Sequence, residues 1–265
     1  MIRTFFKELK IMLLSIKYSI AREMLNKVTF ITNIVFMVLN NASFILEWVI
    51  LFAIRDEIGG YSFNQILLLW GIAAGTYGVS HVFFGKATGL ADLIINGELD
   101  TFMVQPKDVL LSALSSKSDV SAIGDLIYSY IILFIYGFTF PRFILYTIGN
   151  ICGGLIFTST LVIYHSLSFW FVKMDVIQEN VNMIIINFAT YPGTVFKGAV
   201  KVILYTLVPA GLADYVPLDL MIHFDAGLFV ILLTSTFLFC FLAYGLFNRG
   251  LKRYASSNLM NARVW

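Results

Sequence analysis

Asn40, Asn41 and Glu47 stand inside an otherwise apolar run over residues 28–54. A carboxylate at the centre of a bilayer costs about 3 kcal/mol on insertion scales unless it is paired, protonated or wetted. Glu47 therefore has two readings. It caps a helix contact or reaches the outer interface, or it lines a substrate path, facing protein or a cavity rather than lipid. The two asparagines read as hydrogen-bonding glue between helices or as part of a binding site. Neither reading makes or breaks a covalent bond.

The second concentration of polar chemistry is the stretch from Gly85 to Lys117, GKATGLADLIINGELDTFMVQPKDVLLSALSSK. It sets Asp92, Glu98, Asp100, Asp108, Lys86, Lys107 and Lys117 between two apolar runs. A helix from Ala87 to Ile95 is predicted to break at Asn96-Gly97, restart near Glu98 and stop before Pro106. Glycine permits the left-handed turn, and proline cannot continue a helix. A short polar helix between membrane spans has no lipid to bury itself in. It packs on a soluble partner or lies on the headgroups.

Bond-making chemistry is missing. No Gly-x-x-x-x-Gly-Lys-Ser/Thr phosphate loop occurs, since Gly85-Lys86 is followed by Ala87, and the chain is not expected to hydrolyse ATP that way. His-Glu-x-x-His, Gly-x-Ser-x-Gly and Cys-x-x-Cys are all absent, and His81, His165 and His223 lie far apart in sequence. No enzyme, metal or cofactor of this chain's own is expected. Cys152 and Cys240 fall in apolar runs and read as small buried residues.

The elements that must position these groups are helices in a membrane. Mean hydropathy is +0.84, 59% of residues are hydrophobic and 13% are charged, about half the charge of a soluble domain. Phe5, Leu9, Met12, Leu13, Ile16 and Ile20 recur at helical spacing, with Lys7, Lys10, Lys17 and Arg22 on the rest of the surface. Residues 4–24 thus read as an interfacial helix or a helix packed on another domain, and not as a cleavable leader. Six spans are predicted at about 28–54, 64–84, 120–138, 143–172, 176–196 and 226–247. Gly71, Ala73, Ala74, Gly75 and Gly78 give the second a small-residue face for close packing. Lys197 to Met221, with its short apolar run and Pro209, reads as re-entrant or interfacial helices before the last span. With the N-terminus inside, 14 of the 18 Lys and Arg residues fall on the side of the N-terminal helix, the 85–117 loop and the tail from Arg249 to Trp265. The positive-inside rule makes that side cytoplasmic.

Ile94-Ile95-Asn96-Gly97-Glu98-Leu99-Asp100, then Pro106, resembles the I-x-x-G-x-L-D…P signature of ABC-2 type transporter permeases, six-span membrane subunits of ATP-binding cassette transporters. The layout agrees over essentially the whole chain, while the sequence-level match is mainly this motif. Met103 and Gln105 depart from it, standing where leucine and a basic residue are usual. The resemblance implies an all-α integral membrane fold with an N-terminal elbow helix, a cytoplasmic coupling helix and re-entrant extracellular helices before the last span. It implies a permease of a bacterial cell-membrane exporter with both termini cytoplasmic. The partners would be a second permease, identical or different, and cytosolic ATPase subunits that bind the ATP and Mg. The substrate would be amphipathic or hydrophobic; no nucleic acid is expected. Leu90, Leu93 and Ile94 would anchor the coupling helix in the ATPase, with Asp92, Glu98 and Asp100 fixing orientation and Gly97, Leu99 and Pro106 completing the motif. Asp100 would alternatively cap the following helix. Asn40, Asn41 and Glu47 would lie on the path, lined by spans 1, 2 and 5. Two other classes stay open: an ion- or proton-coupled transporter, though neither internal repeats nor paired intramembrane charges are visible, and a membrane scaffold that moves nothing.

Overall fold

The computed structural model describes residues 2–171 and 175–254. Lys173, Arg263 with the rest of the tail beyond 254, and the side chains of Phe5, Lys7 and Leu9 lie outside the described residues. The fold is helical, and the only strand pairing among the described residues is one bridge, Ile58 to Tyr61, around the Gly59-Gly60 turn.

Helix α1 (Ile2–Glu23) buries Ile16 and Ser19 and exposes Leu13 and Tyr18. The Ser19 hydroxyl accepts the Ser118 N–H at 3.0 Å, so α1 rests against the far end of the polar loop. Helix α2 (Lys27–Phe52) is started by the Asn26 side chain, which accepts the Thr29 N–H. Only its Asn41 and Trp48 are buried; Val35, Phe36, Leu46 and Ile50 stand open. Helix α3 (Phe63–Phe84) begins with a capping box between Ser62 and Gln65.

The polar loop folds as a tight turn, Gly85–Gly89, then α4 (Leu90–Ile95), α5 (Asp100–Met103) and α6 (Val109–Leu114). Helix α7 (Ala122–Gly137) follows, then α8 (Phe140–Ser166) with one further tight turn, Leu167–Phe169. Helix α9 (Asp175–Ala189) stops short of Pro192-Gly193. Then come α10 (Ala199–Thr206), a π turn at Gly211–Tyr215, α11 (Val216–Ile222) and α12 (Ala226–Leu251). Asp225 caps α12 by accepting the Leu228 N–H at 2.8 Å.

Contacts along the bundle fix the direction of each helix. A Cβ on Gly71, Gly75 or Gly78 would strike Ile132, Ser129 or Leu126 within 2.8 Å, so α3 and α7 run antiparallel and almost touch. Gly71 also meets Tyr146 and Gly75 meets Asn150, while Ser80 bonds Thr158 at 2.8 Å, so α8 runs parallel to α3. Helix α12 runs parallel to α8, with Cys240 beside Ser159 and Gly250 against the Phe169 ring. Rings pair α2 antiparallel with α3, Phe52 on Phe63 and Phe44 on Trp70. Helix α9 ends beside the far part of α2, where Tyr191 meets Trp48. Taken in chain order, α2, α3, α7, α8, α9 and α12 therefore alternate in direction, and the polar loop lies at one end with the last turns of α3, α8 and α12.

Among the described residues, four elements are long and apolar enough to cross a membrane: α2, α3 continued to Ile95, α8 continued to Phe169, and α12. Helix α10 and the 211–222 segment form a broken pair bent by 74°. Helices α7 and α9 have 16 and 15 residues, shorter than the runs 120–138 and 176–196. Backbone punctuation sets the difference. Gly137 takes a φ of 129° at the end of α7, and Pro192 cannot extend α9.

Candidate functional site

Between α2, α3 and α9 lies a cavity of about 410 Å³, within the ~300–1,000 Å³ of small-molecule sites. Helix α2 lines it with Asn40, Asn41, Phe44, Glu47 and Trp48, and α3 with Trp70, Thr76 and Tyr77. Helix α9 adds Ile186 and Asn187, and Tyr191 follows just beyond its end. Asp125 of α7, Phe157 of α8 and Asp214 of the π turn complete the wall. The three residues singled out on the first span thus share one wall. Asn40 and Glu47 are exposed along it, and Asn41 is buried.

Asn41 is committed to Asp125. Its Nδ2 donates to Asp125 Oδ1 at 2.6 Å and to the Met37 carbonyl at 3.1 Å. This pairing requires α2 and α7 to come close, and Gly124 allows it: a Cβ there would lie 2.5 Å from the Ile34 carbonyl oxygen. Asp125 is 4% exposed, and its Oδ2 meets no hydrogen-bond partner. Asp214 is fully buried, and neither of its carboxylate oxygens meets one. The Thr76 hydroxyl beside it turns to the Ala213 carbonyl at 3.5 Å. The π turn reaches this depth because α8 carries Gly153 where it passes: a Cβ there would lie 2.5 Å from Ala213 O.

Aromatic rings make up much of the remaining wall. Phe44 stacks on Trp70 at 5.4 Å, and Trp48 meets Tyr191 edge-on at 6.1 Å. Among the described residues, no Lys, Arg or His lines the cavity. His81 lies behind the wall, stacked on Tyr77 at 3.7 Å with Nδ1 3.0 Å from the Tyr77 carbonyl.

The polar loop is a second site of a different kind. Gly97 has a φ of 77° between α4 and α5, a conformation other residues adopt at a cost. The reversal brings the Leu99 N–H to the Leu93 carbonyl at 3.2 Å. Leu90, Leu93, Ile94 and Leu99 are each at most 2% exposed, packed in one cluster with Leu110 and Ala113 of α6, Phe157 and Leu161 of α8 and Phe247 of α12. This corrects the expectation that Leu90, Leu93 and Ile94 present an apolar anchor outward. Their burial in the chain's own core already uses that face. Asp100 is corrected as a cap as well: α5 begins with it, Leu99 occupies the cap position, and no side chain caps the helix. The cap in this loop is Asp108, whose Oδ1 accepts the Leu111 N–H at 2.9 Å while Oδ2 accepts the Tyr244 hydroxyl at 2.8 Å. The outward surface is formed by Asp92, Glu98, Thr101, Met103, Val104 and Pro106. Val104 is 84% exposed.

Sequence reasoning brought Asn40, Asn41 and Glu47 together and did not add Asp125 and Asp214. Asp125 carried a usable signal, a carboxylate within an apolar helix. Asp214 carried little, because its burial depends on the 74° bend that tucks the π turn against α8.

In comparisons with known proteins, a family model described as ABC-2 family transporter protein matches residues 37–258. No curated protein and no solved structure matches the chain.

Proposed function

Since the chain belongs to the ABC-2 family of transporter proteins, a membrane transport component, we propose that it is the permease subunit of an ATP-binding cassette exporter. Permeases of this family generally work with separate ATPase subunits. In this reading ATP and Mg are bound by those partners, and this chain converts their closure into movement of its helices. The observation that carries the reading is a folded polar loop that continues from the long apolar helix α3 and packs against the ends of the long apolar helices α8 and α12.

The six alternating helices are the six passes, with α1 as an elbow along the inner interface and the α10–α11 segment as a re-entrant element on the outer side. The distribution of basic residues supports a cytoplasmic polar loop and cytoplasmic termini, and the reading takes the membrane to be that of a bacterial cell. Asp92, Glu98, Met103, Val104 and Pro106 form the surface that meets the ATPase, charge setting the orientation and Val104 the apolar contact. Leu90, Leu93, Ile94, Gly97 and Leu99 brace it from behind, and Asp100 stabilises the first turn of α5 through the helix dipole. A push on the loop then reaches α8 and α12 through their shared cluster. Asn40, Asn41 and Glu47 lie on the path of an amphipathic or hydrophobic substrate. The open apolar face of α2 suits lipid or a second permease, identical or different.

Co-purification of the tagged chain from its native membranes in mild detergent, beside Val104→Asp, tests this. The wild type is expected to bring down an ATPase and Val104→Asp to lose it at unchanged melting temperature. A wild-type chain that brings down no ATPase sinks the reading.

A further inference from the structure

We infer that the cavity between α2, α3 and α9 binds an organic cation carrying an apolar or aromatic body, with Asp125 and Asp214 as its counter-charges. This rests on the transporter reading and names its substrate class. Among the described residues, three carboxylates line the cavity and no basic side chain does. Two of them are almost completely buried with oxygens that meet no hydrogen-bond partner: one oxygen of Asp125 and both of Asp214. Buried acceptors of this kind call for a donor or a positive charge.

The wall selects which cation. A bare metal ion needs about six to eight oxygens at roughly 2.3–2.6 Å when it is calcium-like, and no group of three or more His, Cys, Asp or Glu among the described residues is close enough to hold one. Asn41 and Glu47 are six residues apart on α2, about 9 Å along the helix, so the polar groups are spread over a length that suits an extended molecule. Phe44, Trp48, Trp70 and Tyr77 line the same cavity. Aromatic faces attract quaternary and protonated amines through their quadrupole and bury the apolar body at the same time. Glu47, exposed on the same wall, adds attraction along the way in. Asn41 fixes Asp125 through one oxygen and leaves the other for the ligand.

Equilibrium binding to the complex of this chain with its co-purifying ATPase, in nanodiscs, tests the inference. The probes are tetraphenylphosphonium, tetraphenylborate (an anion of the same shape) and neutral triphenylphosphine oxide. Saturable binding is expected for the phosphonium alone, weakened at least about tenfold by Asp125→Asn or Asp214→Asn, as when one partner of a desolvated charge pair is removed. Preference for the borate or the oxide, phosphonium affinity unchanged in both variants, or no saturable phosphonium binding overturns it. If an Asn variant fails to assemble, the order of the three probes on the wild type still decides. Loss of the ATPase would instead overturn the exporter reading, whereas an intact complex that does not prefer the phosphonium overturns only the cation.

Discussion

Asn41 gives Asp125 its side-chain donor across the α2–α7 contact, and the 2.6 Å bond between them is buried. Replacing Asn41 by Leu leaves a carboxylate in low dielectric with both oxygens unmet. The expected cost is about 1–3 kcal/mol of stability, the penalty for orphaning a buried polar group. Asp125→Asn removes the charge at the same place, so the double variant should lose clearly less than the sum of the two single losses. Thermal melting of the four proteins in one detergent measures the coupling, and strict additivity would show that the two residues do not depend on each other. At this scale the sequence was informative about Asn41, because a polar group in an apolar run calls for a partner, whereas Asn40 and Glu47 are exposed. It was not informative about Asp214. Whether an aspartate after a short apolar run ends in headgroups or in a core depends on Gly153, about 60 residues earlier in the chain, and no local pattern carries that.

The polar loop is the element on which the energetics and the function part company. Leu93 is 2% exposed among leucines and rings from three other helices, and Val104 is 84% exposed nearby in the chain. Leu93→Asp would bury a charge without a partner and is expected to lower the melting temperature sharply or abolish expression. Val104→Asp is expected to change stability by no more than about 0.5 kcal/mol, as for surface sites. Equal melting of the two variants would show that the loop is not packed as described. Gly97→Ala should fall between them, at about 1–2 kcal/mol, because its φ of 77° is left-handed. Periodicity correctly put Leu90, Leu93 and Ile94 on one helical face and Gly97 at a break. It could not say what covers that face, since the cover comes from α8 and α12. Asp108 was not singled out as a cap, and its second bond, to Tyr244, joins residues 136 positions apart.

At the scale of the whole molecule, the proposed six-pass reading requires two short helices, α7 and α9, to cross. Helix α7 has 16 residues, about 24 Å of rise, against a hydrocarbon core of about 30 Å. Three features would let it cross in that reading. It packs along α3 almost without a gap, through Gly71, Gly75 and Gly78. Its last turn runs into an extended Phe138 and the Thr139 cap. A bilayer thins locally around a short span at a cost of fractions of a kcal/mol per Å. If so, Phe138 lies outside the cell and Asn96 inside. Single cysteines at Phe138, Phe224 and Asn96, in a Cys152→Ser, Cys240→Ser background, distinguish the arrangements in intact cells with a membrane-impermeant maleimide. Phe138→Cys and Phe224→Cys should label at once, and Asn96→Cys only after permeabilisation. Because α8 is long enough to cross alone, a protected Phe138 beside a labelled Phe224 would mean that the α7–α8 hairpin enters and leaves by the same face. That result would remove two passes. It would leave the cavity intact and, because an even number of passes is lost, would keep Glu47 and Tyr191 on the side of Phe224.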